Sequence, residues 1–315
     1  MEQGYTYTPK EIHNTIPIAN TSPLSEKHIV WHIQGGLGKN IAATSLISSV
    51  KEKYSDRKLI MIVSYPEAFL NNPLIDRVYQ LGQAPYFFQD YIENKDTIIF
   101  RHEPYHQTGH INMTKHLIEN WCDLLNLEYK NQQPQIFLNF VQQQLIGLWT
   151  REKPIMVIQT CGGPGDDKSL SYSWTRDIPQ TIAQTIVNKY KSKYHIIQIT
   201  RPNGYELANV ERCDQKMSNI ELFAIIGVAK KLVLIDSCLQ HAAAAFNIKA
   251  TVLWIGTNPT VFGYSLHNNI KAQIPNRANQ LIGSYLFDYQ FENNTHECPY
   301  IDVKDFFTPQ QLNKV

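Results

Sequence analysis

Three polar side chains, Asp236, Ser237 and His241, stand where an apolar run gives way to an Ala-rich segment. KLVLIDSCLQHAAAAFN (231–247) predicts a strand, a polar turn and a helix, and ATVLWI (250–255) predicts a second strand, which together make a βαβ unit of a parallel sheet. Ligands of such sheets bind at the carboxyl ends of the strands, where helix amides hold phosphate groups. The spacing indicates a nucleotide or sugar-phosphate site, although a simple helix cap would use the same two residues.

The glycine-rich loop QGGLGKN (34–40) follows the first predicted strand, HIVWHIQ. Its candidate cleft residues are Gly35, Gly36, Gly38 and Lys39. A phosphate-binding P-loop would need Gly five residues before the Gly-Lys pair and Ser or Thr after it, and Ile33 and Asn40 occupy those places. The sequence therefore disfavours a nucleotide triphosphatase.

The segment RHEPYHQTGH (101–110) follows another predicted strand, DTIIF. Glu103, His102 and His106 are its candidate general bases, because carboxylates and imidazoles at a strand end can take a proton from a bound hydroxyl. Each histidine also fits an ordinary loop residue.

The segment after Lys231 resembles the signature of the heptosyltransferase-like glycosyltransferases, glycosyltransferase family 9. The matching residues are Asp236, Ser237, Leu239, His241, Ala242 to Ala244, Gly256, Thr257 and Pro259. Upstream, residues 34–54 are similar to the family's opening Gly-x-x-Gly loop and first helix, and FLNNPLIDRVYQL (69–81) is similar to a later strand. HLIENWCDLLNLEY (116–129) and PQIFLN fall where the family has a helix and a short strand. The resemblance spans nearly the whole chain after about residue 28.

The resemblance implies the GT-B fold, in which two Rossmann-like domains face a cleft, with the acceptor on the N-terminal half and a nucleotide sugar on the C-terminal half. It implies a donor-binding set of Thr160, Lys168, Arg201, Glu206, Asp236, Ser237, Cys238, Leu239 and His241. Lys168 and Arg201 would meet phosphate and Glu206 a ribose hydroxyl, although both cations also fit solvated surface positions.

The sequence departs from the family at three positions. Cys238 stands where the family has Gly, and Tyr172 stands where it has a Lys two residues before a Trp, here Trp174. Lys39 replaces an Asp that serves as the family's catalytic base. A protonated lysine cannot act as a base at neutral pH, so the base must come from elsewhere, and Glu103 is the first candidate.

Composition narrows the function classes. The 315 residues carry a net charge of +1, which gives no general basic field for nucleic acid. Five cysteines without CxxC spacing argue against a disulfide framework and a structural zinc site, so a reducing cytoplasm is expected. No apolar run approaches the ~20 residues that span a bilayer, so membrane contact is expected to be peripheral at most.

Strand and helix patterns alternate on both sides of a charged break at TREKP (150–154), which predicts an α/β fold of two parallel sheets. The predicted divisions are an N-terminal extension (1–27), an acceptor-binding domain (28–150), a nucleotide-sugar-binding domain (151–300) and a C-terminal helix (301–315) that starts at Thr308 and Pro309.

The function expected from the sequence is metal-independent, inverting sugar transfer from a nucleoside-diphosphate sugar to a hydroxyl acceptor, without a cofactor. The sequence has no Asp-x-Asp pair for a metal, and Asp166-Asp167 is an adjacent pair. A surface glycan or lipopolysaccharide is the acceptor that the resemblance implies. The alternatives are transfer to a modified DNA base, an inactive nucleotide-sugar-binding module, and an epimerase of similar fold.

Overall fold

The computed structural model describes residues 26–162, 175–213, 217–273, 302 and 306–315. The first sheet has four parallel strands in the order β3-β2-β1-β4. These are β1 (Lys27–Ile33), β2 (Lys58–Val63), β3 (Arg77–Gln80) and β4 (Asp96–Phe100). All four lie where the alternating pattern predicts strands. The central strands β1 and β2 are mostly buried apolar runs, as parallel sheets require, whereas the edge strand β3 has only two half-buried residues, Val78 and Tyr79.

The second sheet has six parallel strands in the order β10-β9-β8-β5-β6-β7. These are β5 (Ile155–Gln159), β6 (His195–Ile199), β7 (Glu211–Cys213), β8 (Lys231–Ile235), β9 (Thr251–Trp254) and β10 (Asn268–Lys271). The predicted α/β class with two parallel sheets is thus confirmed. The short, polar edge strands β7 and β10 have no counterpart in the sequence prediction.

Six helices accompany the first sheet within the described residues. They are α1 (Leu37–Ala43), α2 (Ile47–Lys53), α3 (Phe87–Tyr91), α4 (Thr108–Ile111), α5 (Leu117–Leu125) and α6 (Phe140–Leu148). The segment PQIFLN, expected to be a short strand, is not a strand in the structure. It leads into α6, which the sequence reading missed and which begins at an Asn139–Gln142 capping box.

The second half contributes five helices within the described residues. They are α7 (Gln180–Tyr190), α8 (Asn219–Val228), α9 (Cys238–Ala245), α10 (Pro259–Phe262) and α11 (Pro309–Asn313). Helix α11 starts as predicted, with Thr308 at its N-cap and Pro309 in its first turn. The chain end lies against the second sheet, since the Val315 carbonyl accepts hydrogen bonds from Lys231 Nζ (2.7 Å) and Tyr190 Oη (2.9 Å).

The largest buried apolar cluster is continuous between the two halves. It contains Trp31 and Trp121 from the first half, whose rings meet edge to face at 6.2 Å, and Trp254 from the second. Helices α1 and α9 pack directly on each other and join the two parts of the cluster. This contact brings the glycine-rich loop (34–40) next to the turn at Asp236 and Ser237. No described helix combines the length and apolar character needed to cross a membrane.

Candidate functional site

The carboxyl ends of β5, β8 and β9 meet beside the start of α9. The segment 175–177 runs over these ends and is fixed by backbone contacts. The Gly256 amide donates to the Thr175 carbonyl at 2.7 Å, and the Gly162 amide donates to Asp177 Oδ1 at 3.0 Å. A Cβ at Gly256 would lie 2.7 Å from Thr175 Cα, so only glycine allows this approach.

Asp236 directly follows β8 and is buried, and burial raises the pKa of its carboxyl group. Arg176 Nε lies 3.8 Å from Asp236 Oδ2, and the Arg176 side chain is 42% exposed. The Arg176 side chain is therefore both close to Asp236 and partly open to solvent. Sequence reasoning missed Arg176 because it looked for a cation before Trp174, whereas this one follows Trp174 by two residues.

Ser237 occupies the N-cap position of α9 with extended backbone (φ −160°, ψ 178°). Its hydroxyl makes no capping hydrogen bond, and the contact that it does make is with Cys238 Sγ at 3.8 Å. The sequence suggested that Ser237 caps the helix, and the structure shows that its side chain does not. A half-buried hydroxyl at a helix N-terminus is thereby left available to an anionic ligand.

Several predicted donor-binding residues lie beneath the site surface. Thr160 is fully buried, and its hydroxyl accepts a hydrogen bond from Gln198 Nε2 at 3.1 Å. Leu239 and His241 are 1% and 5% exposed. These side chains support the strand ends and the α9 turn, and a ligand on the surface would not touch them.

His241 is held as a neutral imidazole of one tautomer. Gln240 Nε2 donates to His241 Nε2 at 3.1 Å, so His241 Nδ1 carries the proton and donates to Tyr264 Oη at 2.7 Å. Burial lowers the pKa of His241 to about 3. On the other side of Tyr264, the ring of His116 from the first half packs at 5.5 Å. His241 is thus part of the contact between the two halves.

Arg201 is already paired. It forms an ion pair with Asp177, and its Nη1 donates to the Gly162 carbonyl at 2.9 Å. Burial raises the pKa of Asp177. Arg201 therefore fixes the loop after β5, while Arg176 is the cation with the more exposed head group.

Glu206 is exposed, and its carbonyl accepts a hydrogen bond from Gln180. Lys168 and the Asp166-Asp167 pair lie outside the described residues.

The glycine-rich loop faces α9 across the site. Gly35 has φ +108°, a conformation that favours glycine, and Gly36 is the N-cap of α1. A Cβ at Gly38 would lie 2.9 Å from His241 Cδ2 and 3.4 Å from Cys238 Cα. Gly38 therefore permits the close approach of α1 to α9.

Lys39 does not point freely into the cleft. Its side chain is 4% exposed, and its ammonium lies 2.5 Å from Glu103 Oε2. Glu103 Oε1 also accepts a hydrogen bond from the Tyr105 amide at 3.3 Å, and the Glu103 side chain remains 32% exposed. His102 and His106 are exposed. Of the three predicted bases, Glu103 is thus the one that the surrounding structure fixes in place.

The chain is similar in structure to several glycosyltransferases. They include a glycosyl transferase family 9 protein from Veillonella parvula, at 12% identity and TM-score 0.60, with 92% of this chain and 96% of that chain covered. Another is ADP-heptose lipopolysaccharide heptosyltransferase II of E. coli, at 11% identity and TM-score 0.60, covering 79% and 92%. A third is the iron-containing dodecameric glycosyltransferase TibC of enterotoxigenic E. coli, at 13% identity and TM-score 0.63, covering 92% and 75%. No family model and no curated protein matches the sequence.

The fold is GT-B. The likeness extends over both sheets, as the resemblance in sequence predicts. At this level of identity it establishes the fold, and the chemistry has to be argued from the side chains. In this GT-B chain Ser237, at the start of α9, and Glu103, after β4, lie close together. Gly38 contacts α9, and the adjacent Lys39 contacts Glu103.

Gly38→Ala should destabilise the protein more than Gly36→Ala does. A methyl group at Gly38 meets His241, which hydrogen bonds hold in place, while a methyl at Gly36 has no described atom within 4 Å. Overpacking of the kind expected at Gly38 costs about 1–3 kcal/mol. Gly36→Ala loses only the preference of an N-cap position for Gly over Ala, which is about 1 kcal/mol or less. Thermal unfolding of the two variants measures the difference. Equal melting temperatures would show that α1 and α9 are not in tight contact.

The protein should lose stability on mild acidification. Burial lowers the pKa of His110 and His116 to about 4 and of His241 to about 3. The unfolded chain, with histidine pKa values near 6.5, binds protons first, so stability is full above about pH 6.5 and falls as the pH drops toward 4. Each histidine should contribute a loss of about 1–2 kcal/mol between pH 7 and pH 5.

Unfolding in denaturant at pH 7 and pH 5 measures this loss, and His116→Asn is the matched control. Asn preserves an acceptor for the Ile118 amide that His116 Nδ1 caps at 3.2 Å, but it does not titrate. The variant should show a smaller difference between the two pH values. An unchanged difference would show that His116 does not contribute.

Proposed function

We propose that the protein is a glycosyltransferase that moves a sugar from a nucleoside-diphosphate sugar to a hydroxyl acceptor, with inversion and without a metal or cofactor. The observation that carries the proposal lies after β8 in a GT-B fold. There the Ser237 hydroxyl, which makes no capping hydrogen bond, the N-terminus of α9 and the partly exposed Arg176 guanidinium come together. This combination suits a diphosphate.

On the donor side, Ser237 and the first turn of α9 would receive one phosphate, and Arg176 would receive the other through paired N–H donors. Both interactions strengthen as the diphosphate gains negative charge on leaving, so they stabilise the transition state. Lys168 is a further candidate cation, and Glu206 a candidate for a ribose hydroxyl. The absence of an Asp-x-Asp pair from the sequence is the reason to propose protein cations in place of a metal.

On the acceptor side, Glu103 would take the proton of the attacking hydroxyl. The acceptor oxygen forms a bond to the anomeric carbon while the bond from that carbon to the diphosphate oxygen breaks, and the leaving nucleoside diphosphate keeps the electron pair. The proton passes to Glu103. One displacement of this kind inverts the anomeric centre. His102 and His106 remain the alternative bases.

The acceptor is proposed to be a glycan hydroxyl, and the reaction to occur in the cytoplasm with at most peripheral membrane contact. The E. coli relative is named for lipopolysaccharide, which supports a surface glycan as the first acceptor class to test. Nucleic acid is a weaker candidate because the net charge is only +1.

Product analysis with and without acceptors tests the proposal. Purified protein would be incubated in excess EDTA with a panel of nucleoside-diphosphate sugars, alone and with candidate acceptors, and the products separated by mass. A transferase releases nucleoside diphosphate and forms a heavier acceptor. An epimerase changes the donor alone, and an inactive module changes nothing. Either of the last two outcomes would reject the proposal, and turnover that needs added Mg²⁺ would reject its metal-independent form.

A further inference from the structure

The ion pair of Lys39 and Glu103 joins helix α1 to the segment after β4. The Lys39 ammonium is nearly buried, lying 4.8 Å from the ring centre of Tyr105 and 6.0 Å from that of Trp121. Burial lowers the pKa of Lys39, and the hydrogen bond to Glu103 opposes that change. A buried ammonium is costly unless it is paired, so the charged form of Lys39 depends on the Glu103 carboxylate.

Glu103 is held from two directions. Its Oε2 accepts from Lys39 and its Oε1 from the Tyr105 amide, which fixes the plane of the carboxylate. An ionised carboxylate offers about four lone-pair sites, so these two contacts leave capacity for a further hydrogen bond. Since 32% of the side chain is exposed, solvent or a ligand can reach the carboxylate.

The other titratable groups close to Lys39 do not supply the positive charge that pairs with Glu103. His32 and His110 both interact electrostatically with Lys39, and burial lowers the pKa of each. Both are therefore neutral near pH 7 and do not supply a counter-charge to Glu103. Arg101, two residues before Glu103 in the chain, is exposed.

We propose that Lys39 is a positioning residue that holds the Glu103 carboxylate in place facing the acceptor, without touching substrate itself. The inference rests on the proposed function, in which Glu103 accepts the acceptor proton. In this role Lys39 acts only through Glu103. It neither contacts a phosphate group nor accepts a proton itself.

The first test is kinetic. Lys39→Met should lower kcat by about 10- to 100-fold with little change in the affinity for nucleoside diphosphate, whereas Lys39→Arg should retain most of the activity. Lys39→Met combined with Glu103→Gln should be no slower than Glu103→Gln alone, because Lys39 acts only through Glu103. Multiplicative losses, or weakened nucleotide affinity in Lys39→Met, would overturn the proposal.

The second test does not need activity. Glu103→Gln leaves a buried ammonium without a counter-charge and should lower the melting temperature by about 5 °C or more, and adding Lys39→Met should restore much of that loss. If Lys39→Met restores the stability lost in Glu103→Gln but the wild type transfers sugar from no donor, the pairing is supported and the proposed function is rejected. If transfer occurs but the double variant is as unstable as the sum of the single changes, the pairing fails.

Discussion

Ser237→Asp is expected to abolish binding of a nucleoside diphosphate while leaving the protein folded. Asp is a preferred N-cap residue, and a negative charge at a helix N-terminus is favourable, so α9 should be at least as stable as before. The same charge would lie next to the diphosphate. At a separation of about 4 Å near a protein surface, two like charges repel by about 4 kcal/mol, which corresponds to roughly a 1000-fold loss of affinity.

Ser237→Ala is the matched control for this substitution. It removes the hydroxyl that makes no capping bond in the structure, so it should cost little stability and weaken nucleotide binding by only about ten-fold, the value of one hydrogen bond to a charged group. Titration calorimetry gives the two affinities, and thermal unfolding confirms the fold. Unchanged affinity in Ser237→Asp would remove the diphosphate from the α9 turn.

Glu103→Gln is expected to reduce turnover by about 10²–10⁴-fold, the range that general-base catalysis commonly contributes. Gln has nearly the same shape and can still accept from Lys39, so nucleotide affinity should remain close to that of the wild type. Steady-state rates at saturating donor, together with nucleotide titration, separate the two effects.

His102→Ala and His106→Ala are the comparison variants, because both histidines are exposed near Glu103. Each should retain turnover within a few-fold of the wild type. If one of them loses turnover while Glu103→Gln keeps it, the base is that histidine. If none of the three substitutions matters, the base lies outside the segment 101–110.

The two sheets could be predicted from sequence because buried parallel strands leave a direct signal. After a first lysine, the runs LIMIV in β2 and LVLI in β8 are apolar without interruption. The edge strands β7 and β10, ERC and NNIK, carry no such signal, since each has a single apolar residue and its strand conformation depends on a neighbouring strand.

The first helix expected within residues 34–54 shows a limit of another kind. The structure divides it into α1, a 3₁₀ turn at Thr44–Leu46, and α2. The hydroxyls of Thr44 and Ser45 bond back to the carbonyls of Ile41 (2.6 Å) and Ala42 (2.7 Å), a local competition that apolar periodicity does not reveal.

The candidate site could be predicted from the sequence where it depends on one βαβ unit. It could not be predicted where it depends on contacts between distant parts of the chain. Asp236 and Ser237 lie at a strand end, as their pattern indicates. The pairing of Lys39 with Glu103 joins residues 64 positions apart, and that of Arg201 with Asp177 joins residues 24 apart. No local pattern specifies either pair.

The most direct measurement of the central claim is a crystal structure of the protein with a nucleoside diphosphate bound. The diphosphate should lie at the end of β8, with one phosphate on the Ser237 hydroxyl and the first turn of α9 and the other on the Arg176 guanidinium. Glu103 should face it across the cleft, still paired with Lys39. A nucleotide bound elsewhere, or a diphosphate that contacts neither Ser237 nor Arg176, would contradict the account.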